Sequence, residues 1–120
     1  MTFPGMMMNV TSQQESDHVV LIVEGEVDLY TSPALRDALA VAFAKKHATV
    51  IVELSAVTYM DSSGIATLVV AHGAARKSAG RLVLAGLSER VREVFKLARL
   101  ESVFELADSV KAALASGEVG

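Results

Sequence analysis

A repeated change of period constrains this chain more than any other feature. Three short, mainly apolar runs, His18 to Gly25, Ala48 to Leu54 and Arg81 to Gly86, the first of them β-branched, are separated by longer stretches whose apolar residues recur every three or four positions. A continuous apolar run of that length suits a strand buried on both faces, and a 3.6-residue period suits a helix laid over it. Strands joined through helices return by right-handed crossovers and therefore lie parallel in one sheet, although the order of the strands stays open. The expectation is an α/β fold: a mixed, mostly parallel sheet of four to five strands with about four helices.

The rest of the chain fills in around these runs. Met6 to Val10 is mostly apolar and is followed by polar Thr11 to Asp17, which predicts an antiparallel first strand at one edge and then a turn. Gly25 reads as the end of the second strand. Thr31-Ser32-Pro33 supplies a hydroxyl cap and a proline that fits a first helical turn, so a helix should run through Leu35, Leu39, Ala42 and Phe43 to about His47. After Leu54, a connection through Val57, Tyr59 and Met60 leads to Asp61-Ser62-Ser63-Gly64, which opens the next helix. Its expected buried stripe is Ile65, Leu68, Val69, His72 and Ala75, with Arg76, Lys77 and Gly80 at its end. A third helix is expected over Ser88 to Leu100 with Val91, Val94, Phe95 and Leu97 inward. An edge strand over Ser102 to Leu106 follows, then a last helix capped by Asp108 and reaching Ala115. One core suffices for 120 residues, so a single domain over 6–116 is expected, with a disordered extension at 1–5 and a flexible tail at 117–120.

Charge and composition exclude several functions. Fourteen acidic against 11 basic residues give a net charge of −3, and no basic block exists to meet a phosphate backbone, so direct nucleic-acid binding is not expected. The chain has no cysteine, which removes disulfide and thiolate chemistry and fits a reducing compartment. Its longest apolar runs, Val19 to Val23 and Ile65 to Ala71, are far shorter than the roughly 20 residues of a membrane span, and the opening MTFPGMMMN has no secretory pattern. A soluble, cytoplasmic protein is expected.

The informative chemistry lies between Val57 and Ala66, where the chain enters a helix N-terminus, with its unpaired amides and partial positive charge. A hydroxyl or carboxylate there, Ser62 or Asp61, can be a plain cap. A phosphate on the same hydroxyl would add about −1.5 to −2 charges where a helix end tolerates an anion. The fold would survive and a partner docked over the site would not, which is a switch. Hydrolytic use of Ser62 or Ser63 would need a nearby base, and only His18, His47 and His72 are available. His72 lies ten residues along the same helix, roughly 15 Å away. No His-x-x-x-His pair and no phosphate-cradling glycine loop is present, so neither an enzyme, a metal site nor a cofactor is expected.

The stretch Met60-Asp61-Ser62-Ser63-Gly64-Ile65 resembles the phosphorylation motif of bacterial anti-sigma factor antagonists, members of the STAS family. Gly25-Glu26-Val27-Asp28, with Thr31 and the helix at Leu35, is similar to the family's Gly-Glu-hydrophobic-Asp segment. Val50 to Leu54, Gly80 to Leu84 and Val91 to Phe95 fall in the family's order, so the likeness covers about Met6 to Ala115. It implies a binding module that sequesters a combined anti-sigma factor and serine kinase while its motif serine is unphosphorylated, and so regulates transcription indirectly. A serine phosphatase would reset it. Carried over residue by residue, the acceptor is Ser62, with Ser63 as second choice, and the partner surface is Asp28, Asp61, Ser62, Ser63, Gly64 and Ile65. One departure is Arg99, which stands where the family often has glycine.

Two rival readings stand beside this one. A phosphoaspartate receiver would use Asp61, but the acidic pair after a first strand and the late Thr and Lys signature are missing, and six residues separate Asp61 from the strand ending at Leu54. STAS domains also occur as soluble subunits docked on the permease of ABC-type lipid transporters, and Ser62-Ser63-Gly64 is compatible with that use.

Overall fold

Strands β1 (Met8–Gln14), β2 (His18–Val27), β3 (Thr49–Met60), β4 (Arg81–Ala85) and β5 (Glu105–Ala107) form one sheet in the order β1-β2-β3-β4-β5. β1 is antiparallel to β2, and all later neighbours are parallel. The structure is a computed structural model in which residues 8–45 and 49–119 are described. The expected first-strand residues Met6 and Met7, the extension at 1–5 and the helix end at His47 lie outside them.

Helices α1 (Ser32–Ala44), α2 (Ser62–Lys77) and α3 (Glu89–Leu97) connect the parallel strands, and α4 (Val110–Val119) follows β5. Alternate strand residues feed two cores. Leu21, Val23, Val50, Val52, Leu54 and Leu84 meet Leu35, Leu39, Leu68 and Phe95 of α1, α2 and α3. Val20, Ile51, Val83 and Ala85 on the opposite face meet Ala113 of α4. Both faces are covered, which is why these strands read as unbroken apolar runs.

Several boundaries differ from the sequence expectation. β1 continues through polar Thr11 to Gln14, because an edge strand over a half-exposed face can carry polar side chains. β2 does not stop at Gly25, which takes φ +96 inside the strand, where the pairing with β3 shifts register. β3 runs past Leu54 to Met60, so Asp61 follows the strand directly, and the six-residue gap held against a receiver does not exist. The missing acidic pair and the missing late Thr and Lys still argue against one.

The helices differ in detail. Thr31 makes no side-chain cap to α1. In α2, Ala71 rather than Val69 completes the buried stripe. Leu97 of α3 is 78% exposed, while Val91 and Phe95 fill the core. Ser109 Oγ, not Asp108, accepts from an amide of α4, that of Ala112, at 3.0 Å. α2 ends with Ala79 rather than Gly80 in the left-handed conformation, at φ +58. Arg99 also takes φ +58, and Leu100 N closes the turn on Phe95 O at 2.9 Å. Glycine fits such a turn without strain, so Arg99 preserves the geometry at a cost of roughly 1 kcal/mol.

Candidate functional site

β2 and β3 end in register, Val27 opposite Met60, and Asp61 N donates to Val27 O at 3.2 Å. Asp28 and Asp61 therefore leave the sheet from adjacent strand ends. The sequence folds this way because an apolar pair holds the strand ends in the core while the next residue is a carboxylate able to organise free amides.

At the second junction Asp61 is the N-cap of α2, and its Oδ1 accepts from Ser63 N at 2.9 Å. Asp61 O accepts from Ile65 N at 3.2 Å, and the Thr67 hydroxyl donates to Ser63 O at 2.9 Å. The cap is thus supplied by Asp61, which leaves the Ser62 hydroxyl unused. Ser62 is exposed, Ser63 is half-buried, and the Ser62 side chain has no hydrogen bond among the described residues. Of the two serines, Ser62 is therefore the more open to solvent.

Gly64 is buried at the same turn. A Cβ there would stand 2.7 Å from Met60 Cγ and 2.8 Å from Val27 Cγ1, so glycine is required by close packing of α2 on the two strand ends. Ile65 is 7% exposed and belongs to the main core. Gly64 and Ile65, expected on the partner surface, are buried and hold α2 against the strand ends.

At the first junction Asp28 Oδ1 accepts from Tyr30 N at 2.9 Å and Thr31 N at 3.0 Å, and lies 3.2 Å from Thr31 Oγ1. Thr31 Oγ1 also lies 2.8 Å from Glu26 O, to which it can donate, and accepts from Asp28 N at 2.9 Å. Asp28 is therefore the organiser of a closed loop and not a solvated turn residue. The loop carries Leu29 at 67% and Tyr30 at 76% exposure, and Tyr59 on β3, paired with Glu26, is exposed close by. Sequence reasoning missed these three residues. The available signal was two large apolar side chains lodged between Asp28 and a Thr-Ser-Pro helix start, where no core position is expected.

The two strand ends and the loop after β2 thus carry carboxylates at Glu26, Asp28 and Asp61 and exposed Leu29, Tyr30 and Tyr59. A groove of about 150 Å³ between α1 and α2, with Leu39, Phe43 and Val70 among its walls, continues down the same helices. Among the described residues no histidine joins the site: His72 is half-buried and packs edge-on against Phe104, with ring centres 5.4 Å apart. Among the described residues no His, Asp and Glu cluster suits a metal ion, and no helix is long and apolar enough to cross a membrane.

The family model for the STAS domain matches residues 9–113. The chain is 34% identical over 102 residues to an anti-sigma-B factor antagonist of Listeria monocytogenes, covering 82% of this chain and 90% of that protein. It is 32% identical over 102 residues to the anti-sigma-B factor antagonist of Bacillus subtilis, covering 85% and 93% respectively. The fold superposes on the crystal structure of an anti-sigma factor antagonist from Mycobacterium paratuberculosis with a TM-score of 0.83 at 25% identity, over 91% of this chain and 92% of the other.

Proposed function

This chain belongs to the STAS domain family, and on that premise we propose that it is an anti-sigma factor antagonist: a cytoplasmic binding module, not an enzyme, switched by phosphorylation of Ser62. The observation that carries the reading is the division of labour at the start of α2. Asp61 supplies the cap, so Ser62 presents an exposed hydroxyl at a helix N-terminus without a structural duty. Unphosphorylated, the chain binds an anti-sigma factor that is also a serine kinase, releases the sigma factor from it, and so regulates transcription without touching DNA. A serine phosphatase restores the binding form.

Charge sets the direction of the switch. A phosphate on Ser62 adds nearly two negative charges beside Asp61 and near Asp28, and a partner docked over the junction meets repulsion and a desolvation cost. Leu29, Tyr30 and Tyr59 supply the apolar contact area that such an interface needs. Incubation with the cognate kinase and ATP, followed by peptide mass mapping, should show one phosphate on Ser62. Calorimetry should show that Ser62→Ala retains partner affinity and Ser62→Asp loses at least about tenfold. A modification that persists in Ser62→Ala, or tight binding by the phosphorylated form alone, would overturn the proposal.

A further inference from the structure

Far down α1 from the Ser62 surface, the layer between β1 and α1 is left unfilled. The side of β1 that faces α1 carries Met8, Val10, Ser12 and Gln14; the first two are buried, whereas Ser12 is polar and half-buried and Gln14 is polar and exposed. Opposite Ser12 and Gln14 the buried residues of α1 along this space are the small Ala38 and Ala42. Small and polar residues thus meet where a large apolar pair would close the layer. The result is a cavity of about 140 Å³, with Leu21 as its floor, Ala38, Ala42 and Val41 as its walls, and Ser12, Gln14 and Lys45 around it.

We propose that this cavity binds a short aliphatic monocarboxylate. Its polar lining offers a hydroxyl, an amide and an ammonium, with no acidic side chain among the described lining residues. Among the described residues the side chains of Ser12, Gln14 and Lys45 make no hydrogen bond or ion pair with one another or with the rest of the protein. A carboxylate accepts hydrogen bonds and donates none, so it matches three unused donors, one of them charged. The other lining is aliphatic, and Leu21 beneath it is 1% exposed, which suits an alkyl tail. An apolar cavity of about 150 Å³ accepts a six-carbon ring, so a chain of four to six carbons fills the space and a longer one projects into water. The site is independent of the Ser62 switch.

The test is a titration of the ¹⁵N-labelled full chain with butyrate, pentanoate, hexanoate and octanoate at constant ionic strength, with hexanol as the uncharged control. Saturable amide shifts are expected at Leu21, Ala38 and Ala42. Affinity should rise roughly fourfold per added methylene up to hexanoate and then level off. Lys45→Met should weaken hexanoate about tenfold and leave hexanol unchanged. Ser12→Leu fills the cavity and should abolish both, with the remaining amide spectrum intact; Ala42→Val serves as a second filling variant. Equal binding of hexanol and hexanoate, saturating shifts confined to the α1–α2 groove, or no saturable shift would each overturn the proposal.

Discussion

β2 and β3 end side by side, each with an apolar residue followed by aspartate, Val27-Asp28 and Met60-Asp61, yet the two junctions are built differently. Asp28 accepts bonds from Tyr30 and Thr31 and closes a loop, so that α1 starts only at Ser32, which is 8% exposed. Asp61 caps its helix directly, and the first residue of α2, Ser62, stands in solvent. Both helices therefore begin with serine, one enclosed and one open. Where each aspartate directs its carboxylate goes with which serine is enclosed and which stands open to solvent.

The sharpest way to break this comparison is to place the same charge on both serines. Ser32→Asp puts a carboxylate into an enclosed position, and the favourable helix end recovers only part of the desolvation cost. A loss of about 3 kcal/mol is expected, read as a lower urea midpoint. If Ser32→Asp unfolds no earlier than Ser62→Asp, the two helix starts are equivalent and the argument from burial fails.

Next in size is Thr31→Val, which keeps the shape of the first junction and removes its shared hydroxyl. Glu26 O and Asp28 N lose their partner, and a loss of about 2 kcal/mol is expected. Thr31→Ser should recover most of it. The α2 start does not use this hydroxyl, so phosphorylation at Ser62 should proceed in Thr31→Val at the wild-type rate, as followed by phosphopeptide quantification. A slowed reaction would mean that the first junction belongs to the kinase contact as well.

Gly64→Ala sharpens the second junction. Overpacking against Met60 and Val27 costs roughly 1–3 kcal/mol, and the better helix propensity of alanine returns about 1, so a net loss of about 1 kcal/mol is expected in thermal or urea unfolding. Trimming Val27 to Ala should make Gly64→Ala less costly, because the two share one space. A stabilised Gly64→Ala would show that Met60 swings aside freely and that the glycine is not a packing requirement.

These junctions also show what the sequence could and could not disclose. The parallel strands and their helices were legible because β-branched runs buried on both faces and 3.6-residue stripes are strong local signals, and Asp61 next to Ser62 is a plain helix start. The outer half of β3 was not legible. Its buried residues Leu54, Val57 and Met60 recur every three positions, because register shifts between β2 and β3 break the two-residue alternation by which a strand is recognised. Thr31 misled for a related reason: a threonine before Ser-Pro has the form of a cap, but its hydroxyl is taken by Glu26 and Asp28, partners that only the paired strand ends bring within reach. Leu97 has the spacing of a core residue, yet it lies in the last turn of a nine-residue helix, beyond the reach of the sheet.

The smallest expected effect is the one the proposed switch depends on. In Ser62→Asp the new carboxylate sits in the first turn of α2, where the unpaired amides and the helix dipole favour an anion by about 0.3–1 kcal/mol. Asp61 is adjacent and opposes it, so the net gain should fall at the lower end of that range and shrink further in salt. The substituted chain should therefore melt within a degree or two of wild type at moderate ionic strength, while its affinity for the anti-sigma partner falls at least about tenfold. That contrast separates a surface switch from a conformational one. If Ser62→Asp instead lowers stability by several kcal/mol, the hydroxyl has a structural role that the open start of α2 does not reveal, and loss of binding would follow from loss of fold. If stability and the Leu29, Tyr30 and Tyr59 amide shifts are all unchanged while binding is lost, repulsion across the interface is sufficient, and no rearrangement of either junction is required.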